Sequence, residues 1–87
     1  MSYKIYYSGL AEKYLFRLPK SKTDSILKRI QYIALDPFKQ DNNIAKLVGT
    51  VSSFRLRIGD VRVIYQLDTK NKTMYVVKIV SRGSVYL

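Results

Sequence analysis

Cysteine and histidine are absent from this chain of 87 residues, and only six side chains are acidic. Without cysteine there is no disulfide, no thiolate nucleophile and no thiolate metal site, a composition suited to a reducing compartment. Without histidine as well, zinc would have to rely on carboxylates alone. Glu12, Asp24, Asp36, Asp41, Asp60 and Asp68 are scattered with no ligand-like spacing, so no metal and no other cofactor is expected. Ser21, Ser25, Ser52 and Ser53 have no neighbouring base to activate them, and there is no glycine-rich phosphate loop, which excludes hydrolysis through a protein nucleophile. Long apolar runs are missing too. Met1 to Leu10 mixes Lys4 with tyrosines and does not read as a signal peptide, and no segment is long enough to cross a bilayer. A cytoplasmic protein without a membrane partner is therefore expected.

What is present is positive charge. Sixteen Lys and Arg against six Asp and Glu give a formal charge of +10, a field that draws polyanions: nucleic acid, an acidic partner protein or an anionic membrane. An apolar content of 47% lets the 87 residues close one modest core, so residues 1–87 are expected to form a single domain.

Residues Ser2 to Tyr7 read as a strand, with Tyr3, Ile5 and Tyr7 alternating against Lys4 and Tyr6. Ser8 is a candidate N-cap, and Leu10, Tyr14 and Leu18, flanked by Ala11 and Leu15, make one apolar stripe of a helix that Pro19 ends. A second helix, capped by Ser21 or Thr23, runs to about Leu35 with Ile26, Leu27, Ile30, Ile33 and Ala34 on its buried side, and Asp36-Pro37 closes it. The short link makes the two helices an antiparallel hairpin, and Asp36 to Asn43 is a polar loop. Phe54 to Ile58 alternates strictly, Gly59-Asp60 suits a two-residue type II′ turn, Val61 to Leu67 returns, and after a turn Met74 to Val80 forms a last strand. The order β-α-α-β-β-β predicts an α+β domain in which an N-terminal helical hairpin packs on one face of a curved antiparallel sheet.

A two-residue turn pairs Ile58 with Val61 and so sets Arg57 opposite Arg62, with Leu56 opposite Val63. Like charges facing across a ladder destabilise it by roughly 0.2–1 kcal/mol, so folding gives no reason for the pairing, whereas an anion held between the two does. Arg55 shares their face, leaving Phe54, Leu56, Ile58, Val61, Val63 and Tyr65 for the core. Arginine at all three positions suits phosphate, because its planar fork grips two oxygens at once. The bland alternative is a solvated strand face whose charges discourage aggregation. Lys78 and Arg82 join that face if the preceding turn has five residues, Asp68 to Lys72, and leave it if the turn has four. Tyr86 either stacks on a base or simply anchors the chain end. One reaction remains open to such residues. RNA carries its own nucleophile, the ribose 2′-hydroxyl, and needs only alignment, charge stabilisation on the phosphorane and protonation of the leaving 5′-oxygen.

Lys46-Leu-Val-Gly49, Phe54-Arg-Leu-Arg-Ile-Gly-Asp60, Val61-Arg-Val-Ile-Tyr-Gln66 and the closing Ser81-Arg82 and Tyr86 together resemble the RelE branch of the RelE/ParE toxin superfamily, over nearly the whole chain. The resemblance implies a toxin that enters the ribosomal A site and cuts mRNA without a metal, leaving a cyclic phosphate, until a cognate acidic antitoxin silences it. It implies a toxin monomeric by itself that assembles with antitoxin into a hetero-oligomer. Carried over by position, Arg55 and Arg57 match two basic residues of the first hairpin strand, Arg62 the arginine that stabilises the transition state, Arg82 the general acid and Tyr86 the tyrosine that orients the substrate base. Lys46 and Lys78 join Arg55 and Arg57 as expected RNA contacts. The best-known bacterial members carry lysine where this chain has Arg55 and Arg57, one of them the proposed base. A guanidinium does not readily take up a proton, so catalysis here is expected to lean on electrostatics and on the ribosome. With Leu87 last, no C-terminal helix beyond the sheet is expected.

The leading expectation is thus a metal-independent, ribosome-dependent endoribonuclease that inhibits translation. A non-enzymatic ParE-like toxin that binds DNA gyrase is the second, and a plain basic RNA-binding module the third. Convergence of Arg55, Arg57, Arg62, Arg82 and Tyr86 on one spot favours the first; scattered positions favour a gyrase binder. An RNA-binding module would show salt-sensitive affinity without cleavage.

Overall fold

The computed structural model describes residues 2–50 and 52–81. Strand β1 (Lys4–Tyr7) leads to helices α1 (Gly9–Phe16) and α2 (Lys20–Leu35), then to strands β2 (Ile44–Lys46), β3 (Ser53–Ile58), β4 (Val61–Asp68) and β5 (Thr73–Ser81). The strands form one sheet in the order β1-β5-β4-β3-β2. The expected order of elements is found, with β2 added: three residues are too few to show an alternation. The sheet is mixed, because β1 pairs parallel to β5 while every other neighbour is antiparallel. The helical hairpin carries the chain from β1 at one edge of the sheet to β2 at the other, and the antiparallel strands then return to bring β5 beside β1.

Ser8 begins α1 as expected: its Oγ accepts from the Ala11 N–H at 3.1 Å. The same hydroxyl donates to the Val77 carbonyl, and the Ser8 N–H donates to the Val76 carbonyl at 2.9 Å, so the cap also pins β5. α2 starts two residues earlier than a Ser21 cap and four earlier than a Thr23 cap would set it, with Pro19 at the cap position and no side-chain cap bond. Its ring fixes a φ of −56°, already suited to entering a helix. Thr23 instead turns back to α1, its hydroxyl donating to the Leu15 carbonyl at 2.8 Å. Asp36 leaves the helical region (φ −154°, ψ 79°) because the following Pro37 crowds it out.

Both helices pack on one side of the sheet. Ala11 and Leu15 from α1 and Ile26, Ile30, Ile33 and Ala34 from α2 share a single buried cluster with Leu56, Val63, Tyr65, Met74, Val76 and Ile79 from the strands. The opposite side of β3 and β4 carries Arg55, Arg57, Arg62 and Ile64, with Ser53, Gln66 and Asp68 further along it. That division follows from the period of two along each strand. No helix among the described residues is long and apolar enough to cross a membrane.

Candidate nucleic-acid interface

The β3–β4 register is the expected one: Ile58 lies opposite Val61, Arg57 opposite Arg62, Leu56 opposite Val63 and Arg55 opposite Ile64. Gly59 has φ +59° and Asp60 a negative φ, the pattern of a type II′ turn, whose first position demands the left-handed freedom of glycine. The Arg57 N–H points away from β4, to the Asn43 carbonyl at 2.8 Å. Arg57 and Arg62 therefore form a non-hydrogen-bonded pair, the closer kind, with Cα atoms roughly 4.5 Å apart. Together with Gly59 and Asp60 they line a cleft of about 80 Å³.

Among the described residues, no carboxylate forms an ion pair with either guanidinium. The ion pairs among the described residues are Lys22–Asp60 at 3.6 Å and Arg29–Asp41 at 2.6 Å, so even the carboxylate of the turn is engaged elsewhere. The Nε of Arg55 is buried and has no hydrogen-bond partner. A buried donor left idle costs about 1–3 kcal/mol, which an anionic acceptor would recover.

Lys78 reaches this face by a route the sequence reading did not foresee. Asp68 pairs with Thr73, so the intervening turn, 69–72, has four residues, the length expected to turn Lys78 away. The register then shifts between Ile64 and Tyr65: Tyr65 pairs with Val76 but Ile64 with Lys78, leaving Val77 as a bulge. One extra residue reverses the parity of everything beyond it. Lys78 therefore flanks Ile64 on one side as Arg55 does on the other, and Val80 lies opposite Arg62. Four cations, Arg55, Arg57, Arg62 and Lys78, surround the half-buried Ile64.

Known proteins share the sequence pattern and the fold of this chain. The family model for the ParE toxin of type II toxin–antitoxin systems matches residues 5–86. The chain is 30% identical to the toxin of an archaeal RelE–RelB complex from Pyrococcus horikoshii OT3, over 98% of this chain and 100% of that one, with a TM-score of 0.82. This chain belongs to the RelE/ParE toxin superfamily. Two further relatives share the fold. The isolated RelE toxin of E. coli is 19% identical over 98% of this chain and 92% of its own, with a TM-score of 0.78. A chain of the RelBE2 toxin–antitoxin complex of Mycobacterium tuberculosis is 18% identical over 94% and 100%, also at 0.78. A search of curated protein sequences finds no significant match.

In this RelE/ParE toxin, the described residues bring together four of the expected site residues: Arg55, Arg57, Arg62 and Lys78. Lys46 does not join them. It pairs with Phe54, whose parity is that of Leu56 and the core, so Lys46 stands exposed on edge strand β2 on the helix side of the sheet. Only Ala45 of β2 shares a face with Arg55. Arg82 and Tyr86 lie outside the described residues. No group of possible metal ligands occurs among the described residues. A larger hollow, of about 270 Å³, lies between the end of α2 and residues 36–41, on the helix side of the sheet from the arginines. Two side chains of the arginine face escaped the sequence reading. Tyr6 and Tyr75 stack there with ring centroids 5.7 Å apart and planes 22° from parallel.

Proposed function

We propose that this toxin is a ribosome-dependent endoribonuclease that cuts mRNA in the A site by attack of the ribose 2′-hydroxyl on the adjacent phosphate, and so inhibits translation. The observation that carries this reading is the placement of Arg57 against Arg62, without an ion-pair partner among the described residues, beside Arg55 and Lys78. Four cations on one patch of sheet raise the energy of the free protein, and they find their counter-charge in a phosphodiester.

Each residue has a defined task in that reaction. Arg55 and Lys78, on either side of Ile64, hold the backbone oxygens and keep the 2′-oxygen in line with the leaving 5′-oxygen. Arg57 and Arg62 meet the phosphorane, whose extra charge is gathered in the cleft they line. Arg82 protonates the leaving oxygen and Tyr86 orients a substrate base, as the family pattern implies. The chain has no histidine, and Asp60, the carboxylate that lines the arginine cleft, is engaged by Lys22, so the 2′-hydroxyl proton passes to solvent water and rate enhancement rests on alignment and charge, with the ribosome fixing the RNA. The complexes formed by the Pyrococcus and Mycobacterium relatives support an antitoxin as partner. For a chain of charge +10 that partner is acidic, laying an amphipathic helix with carboxylates on the sheet or on the helical hairpin. Toxin and antitoxin assemble into a hetero-oligomer in the cytoplasm.

The ParE description of the matching family model favours a second reading, a non-enzymatic toxin that binds DNA gyrase. Translation in vitro separates the two. Purified protein should cut mRNA on ribosomes and leave naked mRNA intact, and Arg62→Ala should abolish the cut. Intact mRNA together with inhibited DNA supercoiling would transfer the toxin to the gyrase-binding class.

A further inference from the structure

We propose that Tyr6 and Tyr75 form a nucleobase-stacking subsite that holds an unpaired base of the same RNA strand whose phosphate the arginines grip. The inference deepens the ribonuclease reading and rests on it for the identity of the strand. The register places the pair. Tyr6 lies beside Tyr75 across the parallel β1–β5 ladder, and Tyr75 lies opposite Gln66 on β4. Gln66 is two residues from Ile64 and four from Arg62 along one strand, so all of them share a face.

The outer face is thus built in rows across the strands. Arg57, Arg62 and Val80 form the first; Arg55, Ile64 and Lys78 the second; Ser53, Gln66, Tyr75 and Tyr6 the third. At the rise of an extended strand, the tyrosine row lies about 7 Å from the Lys78 row and about 13 Å from the Arg62 row. Single-stranded nucleic acid is held elsewhere by this combination, a basic track for the backbone and aromatic rings for the bases.

The rings are open to a ligand, with Tyr6 53% and Tyr75 43% exposed. Cross-strand packing explains their mutual contact. It does not explain the hollow of about 280 Å³ that both line together with Gln66, whose amide can meet the polar edge of a base. Beyond the rings the next row sets Lys4 and Asp68 on either side of Thr73, so the positive track lies on the Lys78 and Arg62 side of the tyrosines. An RNA strand suits this surface better than a protein partner, because the aromatic patch runs without a break into the basic one.

Binding of an uncleavable 2′-O-methyl RNA hexamer to the intact chain tests the proposal, measured with Tyr6→Ile, Tyr75→Ile and Tyr75→Phe. Isoleucine keeps the strand and removes the ring, while phenylalanine keeps the ring; circular dichroism and thermal melting confirm that each variant is folded. Either isoleucine variant should weaken binding by about 5- to 100-fold with an unchanged salt slope, and Tyr75→Phe should stay within about twofold of wild type. Among hexamers carrying one abasic nucleotide, one position should bind wild type as weakly as Tyr75→Ile binds the complete hexamer, and Tyr75→Ile should add no further loss there. Folded isoleucine variants that bind like wild type overturn the proposal, as do losses that multiply at every abasic position, or a wild type that does not bind the hexamer. Variants that keep RNA affinity and lose an antitoxin would assign the pair to a protein interface instead. Cleavage on ribosomes is scored separately: tyrosine-dependent binding without any cleavage keeps the subsite and removes the nuclease reading, and cleavage with tyrosine-independent binding does the reverse.

Discussion

Arg62 faces Arg57 across a ladder, and the two guanidiniums repel each other at close range. This is a residue placed against the interest of the fold. Replacing Arg62 by alanine should therefore leave the protein as stable as before or raise its stability by up to about 1 kcal/mol, while growth inhibition on expression disappears. Denaturant melts at low and high salt check the first half, since the gain should shrink as salt screens the pair. A folded Arg62→Ala protein that remains fully toxic would remove the arginine pair from the mechanism. Tyr65 shows the same tension inside the core. It is fully buried, stacks on Phe54 at 5.6 Å, and its hydroxyl has no hydrogen-bond partner. Burial, with the Asp41 charge adding to it, pushes its pKa up to about 12. The group stays neutral at any pH the fold meets, so only the idle hydroxyl costs energy. Tyr65→Phe should raise stability by about 1 kcal/mol, read as an upward shift of the thermal midpoint. A lower midpoint would show that the hydroxyl is satisfied in solution.

At the scale of elements, the β3–β4 hairpin could be read residue by residue, because strict alternation and a two-residue turn leave one register that buries Leu56 and Val63. The bulge at Val77 could not. Its trace in the sequence is slight: buried Met74 and Val76 are two apart, but the next buried residue, Ile79, is three further on, with Val77 the extra apolar residue. The neighbour of β1 was equally illegible, since an alternating strand does not say which edge it joins or in which direction. Without that pairing, Tyr6 and Tyr75 are 69 residues apart with nothing to link them. The sequence reading also placed Lys46 among the RNA contacts, and the short β2 turns it to the other side. Ser8 shows how these elements are joined, its hydroxyl accepting from the Ala11 N–H of α1 and donating to the Val77 carbonyl of the bulge. Ser8→Ala removes a helix cap and a bulge contact at once and should cost about 1–2 kcal/mol. If the bulge depends on that hydroxyl, amide exchange should quicken at Lys78 and Ile79 as well as in the first turn of α1. Quickening in α1 alone would mean the bulge holds itself.

Taken whole, the molecule is small enough, at 33 × 27 × 25 Å, that its charge of +10 acts on a polyanion from every side. Attraction by itself therefore does not identify the working face, and the salt dependence of binding does. Each phosphate neutralised on a single strand contributes a slope of about −0.7 in log affinity against log salt. If Arg55, Arg57, Arg62 and Lys78 each engage one phosphate, a short single-stranded RNA should show a slope of roughly −3. Removing one of the four should make the slope shallower by about 0.7. Lys46→Ala removes the same charge from the opposite face and should leave the slope unchanged, although both variants lower the net charge equally. Affinities measured from about 50 to 200 mM salt decide the point. Equal changes in slope for Lys46→Ala and Arg62→Ala would mean that RNA senses the overall field and not a built surface, and the cation cluster around Ile64 would lose its claim to be the site.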